Sequence, residues 1–551
     1  MKKSPQALFF CIFFLFVFSS GWNGLHLTAQ SDHSLHIFRH GIASGDPLED
    51  RVIIWTRVSL NDSAEEAEVS YRISRDSAFK DVVTEGIFQT SEEADFTVKI
   101  DVEGLSPGTT YFYQFEAGDE KSPVGRTQTA GMKPGQKNLQ FGVVSCNNYE
   151  AGFFAAFRRL SEKPDLNAVI HLGDYIYEYY RPKVRKRKLK NRRHDPPHEL
   201  LVLSDYRQRY AQYRTDPDLQ ELHRLYPFIT IWDDHEAANN SHAEGASAHN
   251  EAKEGDWQQR LETAKRVYFE WMPIRDHPRQ YIYRKISYGN LADLMMLDTR
   301  YEGRDPQIYD MLDSAIFAPD RSMLGTKQKD WLLNALKESK AKWKLIGNQV
   351  IFSPLYAEHL HKRMENAFLD IWDGYPAERL QITQFIKNND IENVVILTGD
   401  FHTSLAMEVP LDDWNHPQVP LGYNPKTGKN AVAIEFATPS ITSNNFDDFA
   451  KLIKPIRWLG LGRVMGKLIQ RSLMKDEKRD ASLPGGKRWI NPHIKYGNFI
   501  DHGYFILTVG EDKVQADFYH IKNRYKKDSP EKKTKSLFSG DGENHLQVIK
   551  D

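Results

Sequence analysis

Short apolar runs, each broken off by a polar cluster, recur along the chain. Leu139–Val144, Ala168–Leu172, Phe228–Trp232, Leu291–Leu297, Trp343–Phe352 and Val394–Leu397 are such runs, and they predict buried strands. Between them the spacing changes. Trp257, Leu261, Ala264 and Tyr268 recur at helical intervals within Asp256–Trp271, and Trp331, Leu332, Ala335 and Leu336 form a second stripe. Ser204–Leu225, rich in Arg, Tyr, Gln and Leu, predicts a third helical stretch. Alternating strands and helices predict a layered α/β domain. Sites in such domains lie beyond the carboxyl ends of the strands, which is where the polar clusters fall.

Residues 34–130 follow a different rhythm. Val52-Ile53-Ile54-Trp55 follows the turn-like Gly45-Asp46-Pro47, and Val69, Tyr71 and Ile73 alternate with polar residues as in a half-buried strand. Leu105-Ser106-Pro107-Gly108 leads into Thr110-Tyr111-Phe112-Tyr113. A turn before a tyrosine-rich strand is the pattern of a fibronectin- or immunoglobulin-like sandwich, in which a corner tyrosine closes the turn. The polar Gly131–Lys137 stretch predicts a linker. The expected division is an all-β sandwich over 34–130, an α/β domain over 138–525 and a basic tail over 526–551.

The N-terminus adds a compartment. Lys2 and Lys3 precede the apolar run Leu8–Phe18, and Leu27-Thr28-Ala29 resembles a cleavage site, so residues 1–29 predict a secretory signal. The run is shorter than the roughly 20 residues that span a bilayer. The expected product is secreted or held at the periplasm or cell surface, with no transmembrane anchor after cleavage. With 40% hydrophobic residues and a formal net charge of −2, the chain can build a large core and carries no global basic field for a stable nucleic-acid complex. Arg181–Arg193 and Lys522–Lys535 are local basic segments that read as solvated surface. The first lies between two polar clusters, where it could also steer anionic substrates.

The chain has 2 cysteines, and Cys11 lies in the signal. Cys146 then has no disulfide partner, which leaves a buried thiol, an intermolecular bridge or a metal ligand. Its surroundings bear on the choice. Cys146 ends one apolar run, Asp174 and Tyr177 follow another, Asp234 and His235 a third, and Asp400 and His402 a fourth. A carboxylate can bridge two cations, phenolate suits a trivalent ion, and thiolate leans a site towards a transition metal. Asp400 and His402, two residues apart on an extended strand, would point to one side. Asn147 and Asn239 are neutral oxygen donors that suit Ca²⁺. His235 could donate to a phosphoryl oxygen.

Together the segments SCNNYEAG, HLGDYIYEY, YRTDPDLQ, WDDHEAANN, LDTR, LTGDFH and NPHIKYGN resemble the PhoD family of alkaline phosphatases and phosphodiesterases, and HGIASGDPLEDRVIIWTR resembles its N-terminal module. The resemblance implies a four-layer α/β/β/α metallophosphoesterase core with an iron–calcium centre. It implies Fe³⁺ ligation by Cys146, Asp174, Tyr177 and His402, with Ca²⁺ on Asp174, Asp234 and Asp400 and with Asn239 and Asn147 as additional candidates. It places His235 opposite the scissile phosphate, and it makes Asp174 and His235 the catalytic pair. The implied reaction is direct in-line attack of a metal-activated hydroxide on small phosphate esters. A phospholipase D-like or nucleotide phosphodiesterase is the alternative enzyme. A non-catalytic surface binding protein would lack a site residue, and a structural metal site would be closed by four tight ligands, whereas this set has carboxylates to spare.

Overall fold

The structure, a computed structural model, describes residues 37–549 except 61–64, 181–186, 278–280, 357–368, 412–421, 451–454, 456–457, 476 and 480–486. The signal expected over 1–29 lies outside the described residues. Among the described residues no helix is long and apolar enough to cross a membrane.

Two large sheets carry the fold. In the first, Asn138–Val144, Ala168–Leu172 and Phe228–Ile231 run parallel, with Val144 opposite His171 and Leu172 opposite Ile231. In the second, Ala292–Met296, Trp343–Asn348 and Val394–Thr398 run parallel, with Met296 opposite Gly347 and Gly347 opposite Leu397. Alternation along the second sheet decides its packing. Leu294, Met296, Leu345, Val395 and Leu397 join one core with Phe141, Val143 and Ile170 of the first sheet. Their neighbours Met295, Ile346, Val394 and Ile396 face the other way, onto Leu332, Leu336, Ile382 and Ile386 of the helices Gly325–Glu338 and Pro376–Asn388. On the far face of the first sheet lie Ala155–Ser161, Leu203–Tyr213, Pro217–Leu225 and Trp257–Trp271. The layers are helix, sheet, sheet, helix.

The helical stretch expected over Ser204–Leu225 is two helices. Asp216 caps the second by accepting from the amides of Asp218 and Leu219 at 3.0 and 3.3 Å, and Pro217 takes the first position, where its missing N–H costs nothing.

The N-terminal segment does form a sandwich core, in which Ile42, Val52, Ile54 and Val98 meet Val69, Ile73, Tyr111 and Phe115. Tyr111 accepts a hydrogen bond from the Ser106 amide at 2.9 Å, closing the turn as the sequence pattern predicts. One of its two sheets is not separate, however. Ile42–Gly45, Val52–Arg57 and Thr97–Val102 extend the first large sheet, joined where Gly45 pairs with Phe228. The expected tail over 526–551 is also corrected. Glu531–Gly540 pairs along Lys513–Ile521, which pairs with His502–Gly510 and so with Asn138–Val144. The basic loop is corrected in part, because Arg192 is buried, ion-paired to Asp216 at 2.7 Å and stacked on the Tyr149 ring at 3.8 Å.

Candidate metal centre

The strands of both sheets end at one place, and the chain turns sharply there. Cys146, Asp174, Asp400 and His402 all have positive φ, at 60°, 57°, 51° and 55°. Left-handed backbone costs a non-glycine residue about 1–2 kcal/mol and gathers at functional sites. Two glycines allow the approach. Gly173 has φ +95°, and a Cβ there would stand 2.4 Å from the Asp233 Cβ. A Cβ on Gly399 would stand 2.8 Å from the Leu172 carbonyl of the other sheet. The strand at 394 stops at Thr398, so Asp400 and His402 do not share a strand face as expected. Each turns into a different part of the site.

Cys146, Asp174 and His402 bring ligand atoms within 4.8 Å of one another; so do Asp174, Asp234 and His235, and so do Asp233, Asp234 and Asp400. Asp174 belongs to the first two groups. The Tyr177 phenol donates to Asp174 Oδ2 at 2.8 Å and accepts from Ser443. His402 donates from Nδ1 to the Asn444 carbonyl at 2.6 Å, which leaves Nε2 as a lone-pair donor 4.0 Å from Asp174 Oδ2. The other oxygen, Asp174 Oδ1, is buried and has no hydrogen-bond partner among the described residues, as is the case for Asp233 Oδ2.

His235 lies against the Tyr177 ring, centroids 4.2 Å apart, with Tyr179 edge-on at 5.5 Å. Its Nδ1 donates to Glu178 Oε2 at 2.6 Å, and Glu178 Oε1 accepts from the Asn239 amide at 2.9 Å. Asn239 donates its side-chain amide to Asn240 at 2.8 Å. Asn147 turns the other way. Its Oδ1 meets the His171 ring at 2.7 Å and its Nδ2 donates to the Tyr175 carbonyl at 2.9 Å, so both ends of the side chain tie strand ends together.

Three residues without an expected role organise the site. Arg300, fully buried, pairs with Asp233, with Asp370 at 2.9 Å and with Asp400 at 3.2 Å, and stands 3.7 Å from Asp234. It lies in the quoted LDTR segment just after the strand Ala292–Met296, so position was its only signal. Glu236 accepts from the amides of Asp174 at 3.1 Å and Asp233 at 2.6 Å and from that of Tyr175, tying two strand-end turns together. Glu178 sits one residue past Tyr177, and nothing in its spacing marks it.

The charge balance is that of a cation site. Burial pushes the Asp400 carboxyl up to about 7, with Arg300 opposing and Asp234, Asp370 and Asp174 adding to the rise. Burial also drives the Cys146 thiol and the Tyr177 phenol well up, and Asp174 raises both further. Burial works against a charged His235, yet Glu178, Asp174 and Asp234 outweigh it and hold the ring well above its ordinary value. Acidic groups this close and this dry are stable as anions only beside positive charge, and Arg300 supplies one such charge. A thiol, a phenol, an imidazole and a carboxylate fit a trivalent transition metal. Asp174, Asp234 and Asp400 fit a hard oxygen-seeking cation.

Two family models match the chain, PhoD-like phosphatase over residues 141–518 and the PhoD-like phosphatase N-terminal domain over 25–131. The chain is 34% identical over 447 residues to alkaline phosphatase D of Bacillus subtilis (strain 168), across 76% of this chain and 71% of that one. A solved structure of PhoD superposes with a TM-score of 0.77 at 29% identity, across 94% of this chain and 92% of that chain. A purple acid phosphatase from yellow lupin seeds superposes at 0.50 with 12% identity, across 87% and 71% of the two chains, and shares the fold.

Proposed function

This chain belongs to the PhoD-like phosphatase family, a phosphoric ester hydrolase, and on that premise we propose that it cleaves phosphate esters at a two-cation centre built on Asp174. Cys146, Asp174, Tyr177 and His402 would hold Fe³⁺. Asp174, Asp234 and Asp400 would hold Ca²⁺, with Asn239 as a further candidate. The observation that carries this reading is the run of shared members among three clusters of ligand atoms, each within 4.8 Å: Asp174 joins Cys146 and His402 in one and Asp234 in the next, and Asp234 joins Asp400 in the third, while one Asp174 oxygen has no hydrogen-bond partner among the described residues. Asn147, with both ends of its amide engaged, is assigned a structural role instead.

When bound, the two cations supply charge that draws phosphoryl oxygens and lowers the pKa of water. The chain's own groups do the rest. His402, its Nδ1 engaged by Asn444, keeps Nε2 free of a proton as a ligand must. Glu178 takes the Nδ1 proton of His235 and, with Asp174 and Asp234, favours the doubly protonated ring, so Nε2 also carries a proton that can be given to a phosphoryl or leaving-group oxygen. Arg300 holds Asp233, Asp234 and Asp400 in register. Water then displaces the alcohol in line and inverts phosphorus. Small phosphomonoesters are the proposed substrates, with lipid or nucleotide diesters as the alternative, for which Tyr179 beside His235 offers an aromatic wall. Export through the N-terminal segment is part of the same proposal.

Elemental analysis with a visible spectrum tests the centre. One iron per chain and a tyrosinate charge-transfer band that vanishes in Tyr177→Phe are expected. An iron-free, colourless enzyme of full activity overturns the iron assignment.

A further inference from the structure

Away from the metal centre the surface is conspicuously apolar in one stretch. Trp458 is 87% exposed, Leu459 58%, Leu461 39%, Val464 52% and Leu468 48%. Side chains of this kind seldom stand together in water without a purpose. They belong to the helix Gly462–Leu473 and the residues just before it. The inner face of that helix is fixed: Gly466 packs so closely that a Cβ would stand 2.6 Å from Ile500, Leu473 is buried, and Gln470 donates to the Gly497 carbonyl at 2.8 Å. The outer face therefore cannot turn inward to hide its leucines.

Charge says what covers that face. From Trp458 to Lys475 the chain has four Lys or Arg and no Asp or Glu. Arg463, Lys467 and Arg471 are exposed on the same helix as Val464 and Leu468, and only Arg463 has a described ion pair, with Asp501 at 2.8 Å. A helix with valine and leucine among lysine and arginine, led by a tryptophan and with no acid, matches the boundary of an anionic bilayer. The apolar groups enter the acyl region, the tryptophan sits at headgroup depth and the cations meet lipid phosphates. A second copy of the chain fits poorly. A two-fold interface would set the same cations against themselves.

We propose that residues 458–475 are a docking surface for anionic lipid membranes. The surface is joined to the metal centre. The helix packs on Phe446–Ala450, since Gly466 lies against Asp447. Phe446 meets Phe401, beside His402, with centroids 5.6 Å apart, and two residues before it Asn444 holds His402. Docking would bring the neighbourhood of the site to the lipid surface, whatever ester it cleaves.

Vesicle sedimentation decides the matter, using the full chain with equimolar phosphatidylglycerol and phosphatidylcholine against phosphatidylcholine alone. Binding to the anionic vesicles and release by salt are expected. Trp458→Ala/Leu461→Ser/Leu468→Ser, and separately Lys467→Glu/Arg471→Glu, should each weaken binding on the order of tenfold or more. Both leave hydrolysis of a soluble ester unchanged, which shows that the fold is intact. All these proteins share one N-terminus, so an apolar leader contributes equally to each. Vesicle binding equal in wild type and both variants, or no binding at all, overturns the proposal. A concentration-dependent dimer lost in the Trp458 variant assigns the face to a second copy instead.

Discussion

The smallest unit with a distinct job is the Glu178–His235 pair. Glu178 is 1% exposed, and one of its oxygens takes His235 Nδ1 at 2.6 Å while the second takes the Asn239 amide. A carboxylate so placed does two things to an imidazole: it fixes which nitrogen faces the substrate, and it favours the protonated ring. Glu178→Gln keeps the shape and removes the charge. The expected outcome is a fall in kcat of about a hundredfold, an alkaline limb of the pH profile shifted to lower pH, and metal content unchanged. An unshifted profile would show that Glu178 merely packs. Arg300 teaches a different lesson at this scale. In the sequence it is one basic residue among many, because an arginine after a strand looks like surface. Only when Asp233, Asp234, Asp370 and Asp400 arrive from three separate segments does the need for a buried guanidinium arise. Cys146, Asp174, Tyr177, Asp234 and His402 were legible for the opposite reason, since each ends an apolar run and has a side chain with strong ligand chemistry of its own.

At the scale of elements, the site depends on how strands stop. Three backbone amides, of Asp174, Tyr175 and Asp233, would be buried and unpaired were it not for the two oxygens of Glu236. Leaving one buried donor unsatisfied costs about 1–3 kcal/mol, so Glu236→Leu should destabilise the protein by several kcal/mol and release the Gly173 turn that presents Asp174. Glu236→Gln, which keeps one acceptor oxygen, should recover part of the loss. Urea unfolding of the two variants is the measurement, and equal stability of Glu236→Leu and wild type refutes this account of the turn. The same scale explains where the sequence misleads. The pattern Glu531-Lys532-Lys533-Thr534-Lys535 reads as a solvated tail because lysines on an outer strand look like those of a free segment. Lysine is also a residue that guards strands near a sheet edge, and the pairing partner, Lys513–Ile521, is visible only in three dimensions. Likewise the apolar run Val394–Leu397 shows where the strand ends but not that Asp400 and His402 turn left-handed beyond it, since that backbone leaves little trace in residue type outside glycine and asparagine.

For the whole molecule the metal centre is also a clasp. Cys146 and Asp174 stand at the ends of Asn138–Val144 and Ala168–Leu172 in the first sheet, while Asp400 and His402 stand past Val394–Thr398 in the second. The layered order of the core was legible from strand–helix alternation. That the two sheets also meet in one charged cluster was not, because no local pattern records which strand ends coincide. Cations held there would bond both sheets at once and cancel the repulsion that burial imposes on Asp233, Asp234 and Asp400. A ligand bound to the folded state alone stabilises it by RT ln(1 + [L]/Kd), which is about 4 kcal/mol at a thousandfold excess over Kd. Stripping the protein with a strong chelator should therefore lower its Tm and raise hydrogen exchange first at residues 145–147, 173–177 and 399–402, with the sandwich around Tyr111 protected for longer. Restoring iron and calcium should return both. The pattern of exchange matters more than the shift, because a site that only decorates a finished fold would lose activity on chelation and leave the strand ends as protected as before. A metal-free protein with unaltered Tm and unaltered protection at those turns would mean that packing alone holds the two sheets together.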